Sequence, residues 1–300
     1  MSSTKSSCSA CPSAGGTHGR DSAGKSLQDE LITSTLSRIR YKLFIMSGKG
    51  GVGKSSVAVN IAAGLAKLGQ RVGIVDVDLH GPSVPRLLGL GGRHMEADRG
   101  RLIKPISYSE NLKAVSMDAL LKDPDQAVLW RGPMKTTAIR QFIADISWGD
   151  LDFLVIDSPP GTGDEHMTVL KTIPEALCVV VTTPQELSLA DVRKAINFLQ
   201  YAKANVLGVV ENMSGLICPH CAKEISLFKK GGGEELARKY GLAFLGAIPL
   251  DPATVVASDL GTPVVLLEED SPAKLAMENL ARSVREAAEK SLESVSTLHA

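Results

Sequence analysis

A chain of 300 residues can bury a full core without disulfide staples, and 44% apolar with 22% charged residues is the make-up of a globular protein. Lys+Arg and Asp+Glu balance at 33 each, which excludes the basic excess of a general nucleic-acid binder, and no apolar run approaches the roughly 18 residues of a membrane-spanning helix. Five cysteines are too few for a disulfide framework, and no apolar leader opens the chain, so the expected location is cytoplasmic, with neither nucleic acid nor membrane as a partner.

Residues 1–37 read as a disordered Ser/Gly-rich tail that carries Cys8 and Cys11 and is too polar to offset its ordering entropy, although 26–40 can form a short helix leading into the fold. From Tyr41 short apolar runs alternate with helical-length segments. Strands are predicted near 41–46, 72–76, 113–116, 152–157, 177–182, 206–211 and 244–248, and helices over 54–68, 134–146, 188–203, 232–240 and 272–293. Several strands are continuous β-branched runs, which suits burial on both faces. The implied fold is α/β and Rossmann-like, a mostly parallel sheet of seven to eight strands with helices on both faces. One domain spans 38–290, and 291–300 reads as a C-terminal tail. In the last helix Leu275, Ala276, Leu280 and Val284 are the candidate core face.

Between the first strand and the first long helix lies Gly48-Lys49-Gly50-Gly51-Val52-Gly53-Lys54-Ser55-Ser56. Gly48, Gly50 and Gly53 satisfy G-x-G-x-x-G, and the same residues satisfy G-x-x-x-x-G-K-S. Lys54 and Ser55 decide for the second. A dinucleotide site has no use for a cation and a hydroxyl at the helix start, whereas a nucleoside triphosphate site uses Lys54 on the β/γ oxygens and Ser55 on Mg²⁺. The glycines let backbone N–H groups crowd around phosphate at the positive end of a helix. The apolar run 151–157 ends in Asp157, as in an element that holds Mg²⁺ through water. The run 72–78 ends Asp76-Val-Asp78, two carboxylates on one side of a strand end at the carboxyl edge of the sheet, where open α/β folds bind ligands. Either one is alternatively a helix cap.

Cys218-Pro-His-Cys221 follows the sixth strand. Two thiolates three apart in a turn can bind one metal centre from one side, and three chemistries compete. A redox pair favours a helix N-terminus, a zinc ribbon needs two such pairs, and an iron–sulfur cluster wants four thiolates, which a two-fold dimer supplies. Cys178 reads as inert core, and His166 as a residue of a helix start.

With these motifs in hand the chain resembles the Mrp/ApbC family of P-loop iron–sulfur cluster carriers, within the MinD/ParA-like class. The likeness rests on SGKGGVGKS at 47–55, VDVDLHGPSVPRLLG at 75–89, WRGPM at 130–134, DFLVIDSPPGTGDEH at 152–166, TTPQELSLADVRKA at 182–195, ENMSG at 211–215 and CPHC at 218–221. It implies an ATP- and Mg²⁺-dependent, slowly hydrolysing homodimer. Lys49 would reach the partner's nucleotide, Asp78 would position or activate the attacking water, and Asp76 would lie near Mg²⁺. Asn212 would contact adenine, with Pro249 and Asp251 in the other loop near the base. Cys218 and Cys221 of two copies would hold a bridging [4Fe–4S] cluster destined for apo-proteins. The eukaryotic cytosolic branch carries a four-cysteine N-terminal motif, and here only Cys8-Ser-Ala-Cys11 is present. Two rival readings share the loop: a MinD/ParA-like positioning ATPase without metal, and a zinc-bound scaffold.

Overall fold

A computed structural model describes residues 27–78, 81–93, 95, 102–116, 132–218, 221 and 223–298. Cys8, Cys11, His80, Trp130 and Arg131 lie outside the described residues.

The β-branched runs pack as expected of strands covered on both sides. In β1 (Ile39–Ser47) Leu43 and Ile45 face one hydrophobic layer, and Phe44 and Met46 face the other. The same alternation divides β5 (Leu151–Asp157) and β6 (Leu177–Thr182) between the two layers. Each such large apolar side chain contributes roughly 1.5–3 kcal/mol by leaving water. With β2 (Val72–Asp76), β4 (Leu112–Ser116), β7 (Asn205–Ile217) and β9 (Phe244–Leu250), these strands make a parallel sheet in the order β4-β2-β5-β1-β6-β7-β9. Two antiparallel pieces of two residues each, β3 (Ile106–Ser107) and β8 (Glu224–Ile225), raise the total among the described residues to nine. Fragments that short carry no periodicity to read, so the expected count of seven to eight fell below it.

Helices α2 (Lys54–Lys67) and α9 (Pro272–Leu298) cover one face of the sheet. The other is covered by α1 (Leu27–Ser37), α4 (Gly132–Asp145), α5 (Asp164–Thr172), α6 (Glu186–Tyr201) and α7 (Gly232–Tyr240). Short helices α3 (Val84–Leu87) and α8 (Pro252–Asp259) complete the set. Three expectations need correction. The tail assigned to 1–37 ends earlier, because Ile32 and Leu36, one turn apart, bury themselves in the core and Asp29 pairs with Arg140 of α4. Helix α9 runs to Leu298, past the domain boundary expected at 290. Its core face is Ala273, Met277, Leu280, Ala281, Val284 and Ala288, while Leu275 is exposed, since the i, i+4 row through Met277 meets the sheet.

Candidate functional site

The strand order β2-β5-β1 sets three carboxyl-end loops side by side. β1 stops at Ser47, α2 starts at Lys54, and residues 48–53 turn between them. Gly51 and Gly53 have φ of 80° and 78°, where a side chain is strained. A Cβ on Gly48 would stand 2.4 Å from the Asp191 carbonyl carbon, so the loop lies against α6 in a way only glycine permits. Val52 is buried beneath the loop, and Ser55 and Ser56 fill the first turn of α2, which has no side-chain cap. The N–H groups there, backed by the helix dipole, suit phosphate.

Lys54 is buried, and its Nζ donates to Asp157 Oδ1 at 2.5 Å and to Ser55 Oγ at 3.0 Å. Asp157 is fully buried and its Oδ2 has no hydrogen-bond partner among the described residues. Burial pushes its carboxyl above the usual range against the pull of Lys54. Asp76 pairs with Asp157 in strand register and is pushed up as well, first by burial and then by the neighbouring negative charge. A hydroxyl, a buried carboxylate oxygen without a partner and an excess of acid over base are the oxygen donors that a hard divalent cation selects, so this set fits Mg²⁺.

Asp76 does a second job. Its Oδ1 accepts from the Asp78 N–H at 3.0 Å, and its Oδ2 accepts from the Ser83 and Val84 N–H groups at 2.8 and 3.0 Å. The carboxylate thus ties β2 to α3 and fixes where Asp78 projects, which joins the cap reading to the site reading. Asp78 accepts from the Gly81 N–H at 3.1 Å and lines a cavity of about 400 Å³ with Pro159, Pro160, Glu165 and His166. Glu165 is held by Lys135 of α4 at 2.7 Å. Lys49 is half-buried at the start of the loop, and its carbonyl accepts from Ser47 Oγ at 2.9 Å.

Asn212 meets the loop from the other side. Its Nδ2 donates to the Val52 carbonyl at 2.9 Å and would lie 2.3 Å from a Cβ on Gly53. Pro249 sits half-buried in β9. Asp251 caps α8 by accepting from the Ala253 N–H at 2.9 Å and accepts from the Ala273 N–H of α9 at 3.2 Å, so both its oxygens brace helices.

The cysteine pair does not lie in an open loop. β7 runs through the ENMSG segment to Ile217 and turns back into β8 as a hairpin, with the Cys218 N–H donating to the Lys223 carbonyl at 2.9 Å. Cys218 is half-buried and Cys221 exposed at the tip, with exposed Ile217, Ile225 and Leu227 beside them. Sequence reasoning missed the carboxylate that aims this hairpin. Glu211, fully buried, accepts from Ser214 Oγ at 2.6 Å and from the Gly231 and Gly233 N–H groups at 3.1 and 2.6 Å. The signal was the glycine triplet 231–233, since a Cβ on Gly233 would sit 3.0 Å from the Glu211 Cβ. Because β1 and β7 run parallel, the loop and the hairpin leave the same edge of the sheet.

The chain is similar to known proteins over most of its length. The family described as NUBPL iron-transfer P-loop NTPase, of the ParA group, matches residues 38–285. An iron-sulfur cluster carrier protein of Methanocaldococcus jannaschii is 46% identical over 242 residues, 80% of this chain and 83% of that protein. The human cytosolic Fe-S cluster assembly factor NUBP2 is 44% identical over 84% of this chain and 94% of its own length. A nucleotide-binding protein from Archaeoglobus fulgidus, solved in complex with ADP, superposes with a TM-score of 0.69 at 40% identity, covering 78% of this chain and 91% of that one. The cell division ATPase MinD of Pyrococcus furiosus, at 24% identity and a TM-score of 0.60 over 83% of this chain and 99% of its own, shares the fold. The chain belongs to the family of NUBPL-type iron-transfer P-loop NTPases.

Proposed function

We propose that this protein binds and slowly hydrolyses ATP with Mg²⁺, and that two copies together carry a labile [4Fe–4S] cluster which they hand to apo-proteins in the cytoplasm. Lys54 would meet the β/γ-phosphates, Ser55 would ligate Mg²⁺ directly and Asp157 would hold it through water. The ion, when bound, neutralises charge on the phosphates. Asp78 orients the attacking water and takes its proton, and Lys49 reaches the nucleotide of the second copy. Catalysis on this reading is positioning and charge neutralisation. Asn212, Pro249 and Asp251 are assigned to the base end of the nucleotide.

The cluster is cargo, and one observation carries that assignment. Cys218 and Cys221 stand at the tip of a hairpin on the nucleotide edge, half-buried and exposed, beside an apolar rim. Two thiolates per chain leave a four-iron cluster half-ligated, and a second copy facing this edge supplies the other two. The names of the archaeal and human relatives support the same role. A metal-free positioning ATPase leaves the cysteine hairpin unexplained.

Anaerobic reconstitution followed by iron, zinc and sulfide analysis, with transfer to an apo-acceptor, tests the proposal. Iron with equimolar sulfide that moves to the acceptor is the expected result. Zinc without transfer indicates the scaffold, and neither metal indicates the positioning ATPase.

A further inference from the structure

Strand β7 is apolar and buried at Val209 and Val210, and the next residue, Glu211, is a carboxylate wholly out of water. An apolar side chain would fill that place without desolvating a polar group. The carboxylate is instead met by neutral donors from two directions. Its Oε1 accepts from Ser214 Oγ at 2.6 Å and from the Gly231 N–H at 3.1 Å, and its Oε2 accepts from the Gly233 N–H at 2.6 Å. Ser214 lies between Asn212 and Leu216, where β7 shifts register against β9 on its way into the cysteine hairpin. Gly231 and Gly233 stand where the chain returns and enters α7. One carboxylate oxygen therefore joins the entry and the exit of the excursion 215–230, which carries Cys218 and Cys221.

The other ties do not close this neck. The pairings of Leu216 with Ile225 and of Ile217 with Glu224, and the bond from the Cys218 N–H to the Lys223 carbonyl, shape the hairpin but lie wholly within it. Leu216 pairs with Leu250 of β9, which fixes the entry alone. Lys230 meets Glu224 at 2.6 Å with both partners exposed, where an ion pair contributes little. On the opposite face of the strand Asn212 donates to the Val52 carbonyl, so a closed neck also holds the excursion against the nucleotide loop.

We propose that Glu211 is a positioning residue for the cluster: it clasps the neck of the excursion and so holds Cys218 and Cys221 where the thiolates of a second copy can meet them. The proposal rests on the shared-cluster reading above. With the neck open, each cysteine pair swings freely, and a cluster shared by two chains must order both pairs before it binds.

The test compares the parent with Glu211→Gln and Ser214→Ala, as full chains reconstituted anaerobically, by iron loss to a chelator, binding of a non-hydrolysable ATP analogue and thermal melting. The amide nitrogen of Gln cannot accept, so at least one of the two glycine N–H groups loses its partner. Ala at 214 opens the entry side and leaves both glycine N–H groups capped. Both variants should fold and bind the analogue as the parent does. Iron loss should be about tenfold or more faster in Glu211→Gln, the usual effect of removing a group that orients metal ligands, and faster by a smaller factor in Ser214→Ala. Parental iron loss in both folded variants overturns the proposal. So does fast loss in Glu211→Gln with parental loss in Ser214→Ala, because the carboxylate is then only the cap of α7. A loss of analogue binding that matches the loss of iron retention marks general unfolding and overturns it as well. If Glu211→Gln does not fold, Ser214→Ala decides alone, faster iron loss supporting the clasp and parental loss overturning it. A parent that takes up no iron and sulfide, or holds a whole cluster as a monomer, overturns the shared-cluster reading itself, and the clasp with it.

Discussion

The nucleotide loop and the cysteine hairpin leave the same edge of one sheet, yet they are built in opposite ways. The loop is buried machinery. Lys54, Asp157 and Asp76 lie almost entirely out of water, held by strand register and by backbone N–H groups, so their geometry is in place within a single chain. The hairpin is an exposed projection with a two-residue return strand, two thiols and an apolar rim, aimed by one buried carboxylate, Glu211, at its base. Preorganised charge suits a ligand that one chain holds alone. An exposed pair of soft ligands suits cargo that two chains share and must later release. The link between them is short, since Asn212 donates to the Val52 carbonyl of the loop and is followed by Met213 at φ 58°, a left-handed kink within the strand that leads to Cys218.

This contrast can be broken or sharpened by variants. The largest effect is expected from Lys54→Ala, which removes the cation paired with Asp157 and assigned above to the phosphates. Nucleotide binding should fall below detection by calorimetry while anaerobic iron loading survives, and loss of both would show that the two sites are one unit. Asp78→Asn keeps the shape but not the charge. ATP binding should persist with turnover reduced by roughly 10²-fold or more, and unchanged turnover would move the role to Asp157 or Asp164.

Stability against pH reports on the buried side. His166 is held down to about 4 by burial, against about 6.5 in the unfolded chain. The unfolded chain therefore binds the proton first on acidification, so this contribution is fully present above pH 6.5 and is lost as pH falls towards 4. Over that window the parent should lose up to about 3 kcal/mol more than His166→Phe in urea unfolding. Equal slopes would place the imidazole in water. The smallest effect is expected from Asp251→Ala. Losing the cap of α8 and the brace to α9 should cost about 1 kcal/mol. A weaker grip on nucleotide in that variant would give Asp251 the base-end role as well, and unchanged affinity would leave it a brace.

What the sequence made legible follows the same division. The seven parallel strands stood out as short apolar runs, continuous where both faces are buried as in β1, β5 and β6, and the loop was readable because its chemistry is local: glycines for close approach, then Lys54 and Ser55. The short α3, α8, β3 and β8 were invisible, being too brief for any period to show. Helix α1 was expected as a short helix over 26–40, yet the tail was carried to 37 because two buried side chains, Ile32 and Leu36, are too few to mark where the fold begins. Glu211 went unassigned for a deeper reason: it owes its role to the Gly231 and Gly233 amides, distant in sequence, and neither spacing nor residue type announces such a meeting.

Sharing of the cargo between two chains is tested most directly by sedimentation with iron and sulfide assays on reconstituted parent, Cys218→Ala and Cys221→Ala proteins. The parent should hold about four irons and four sulfides per dimer, and each variant, still folded, should lose the cluster and the dimer it stabilises. A cluster bound stoichiometrically by monomers, or retained without Cys218 and Cys221, would contradict it.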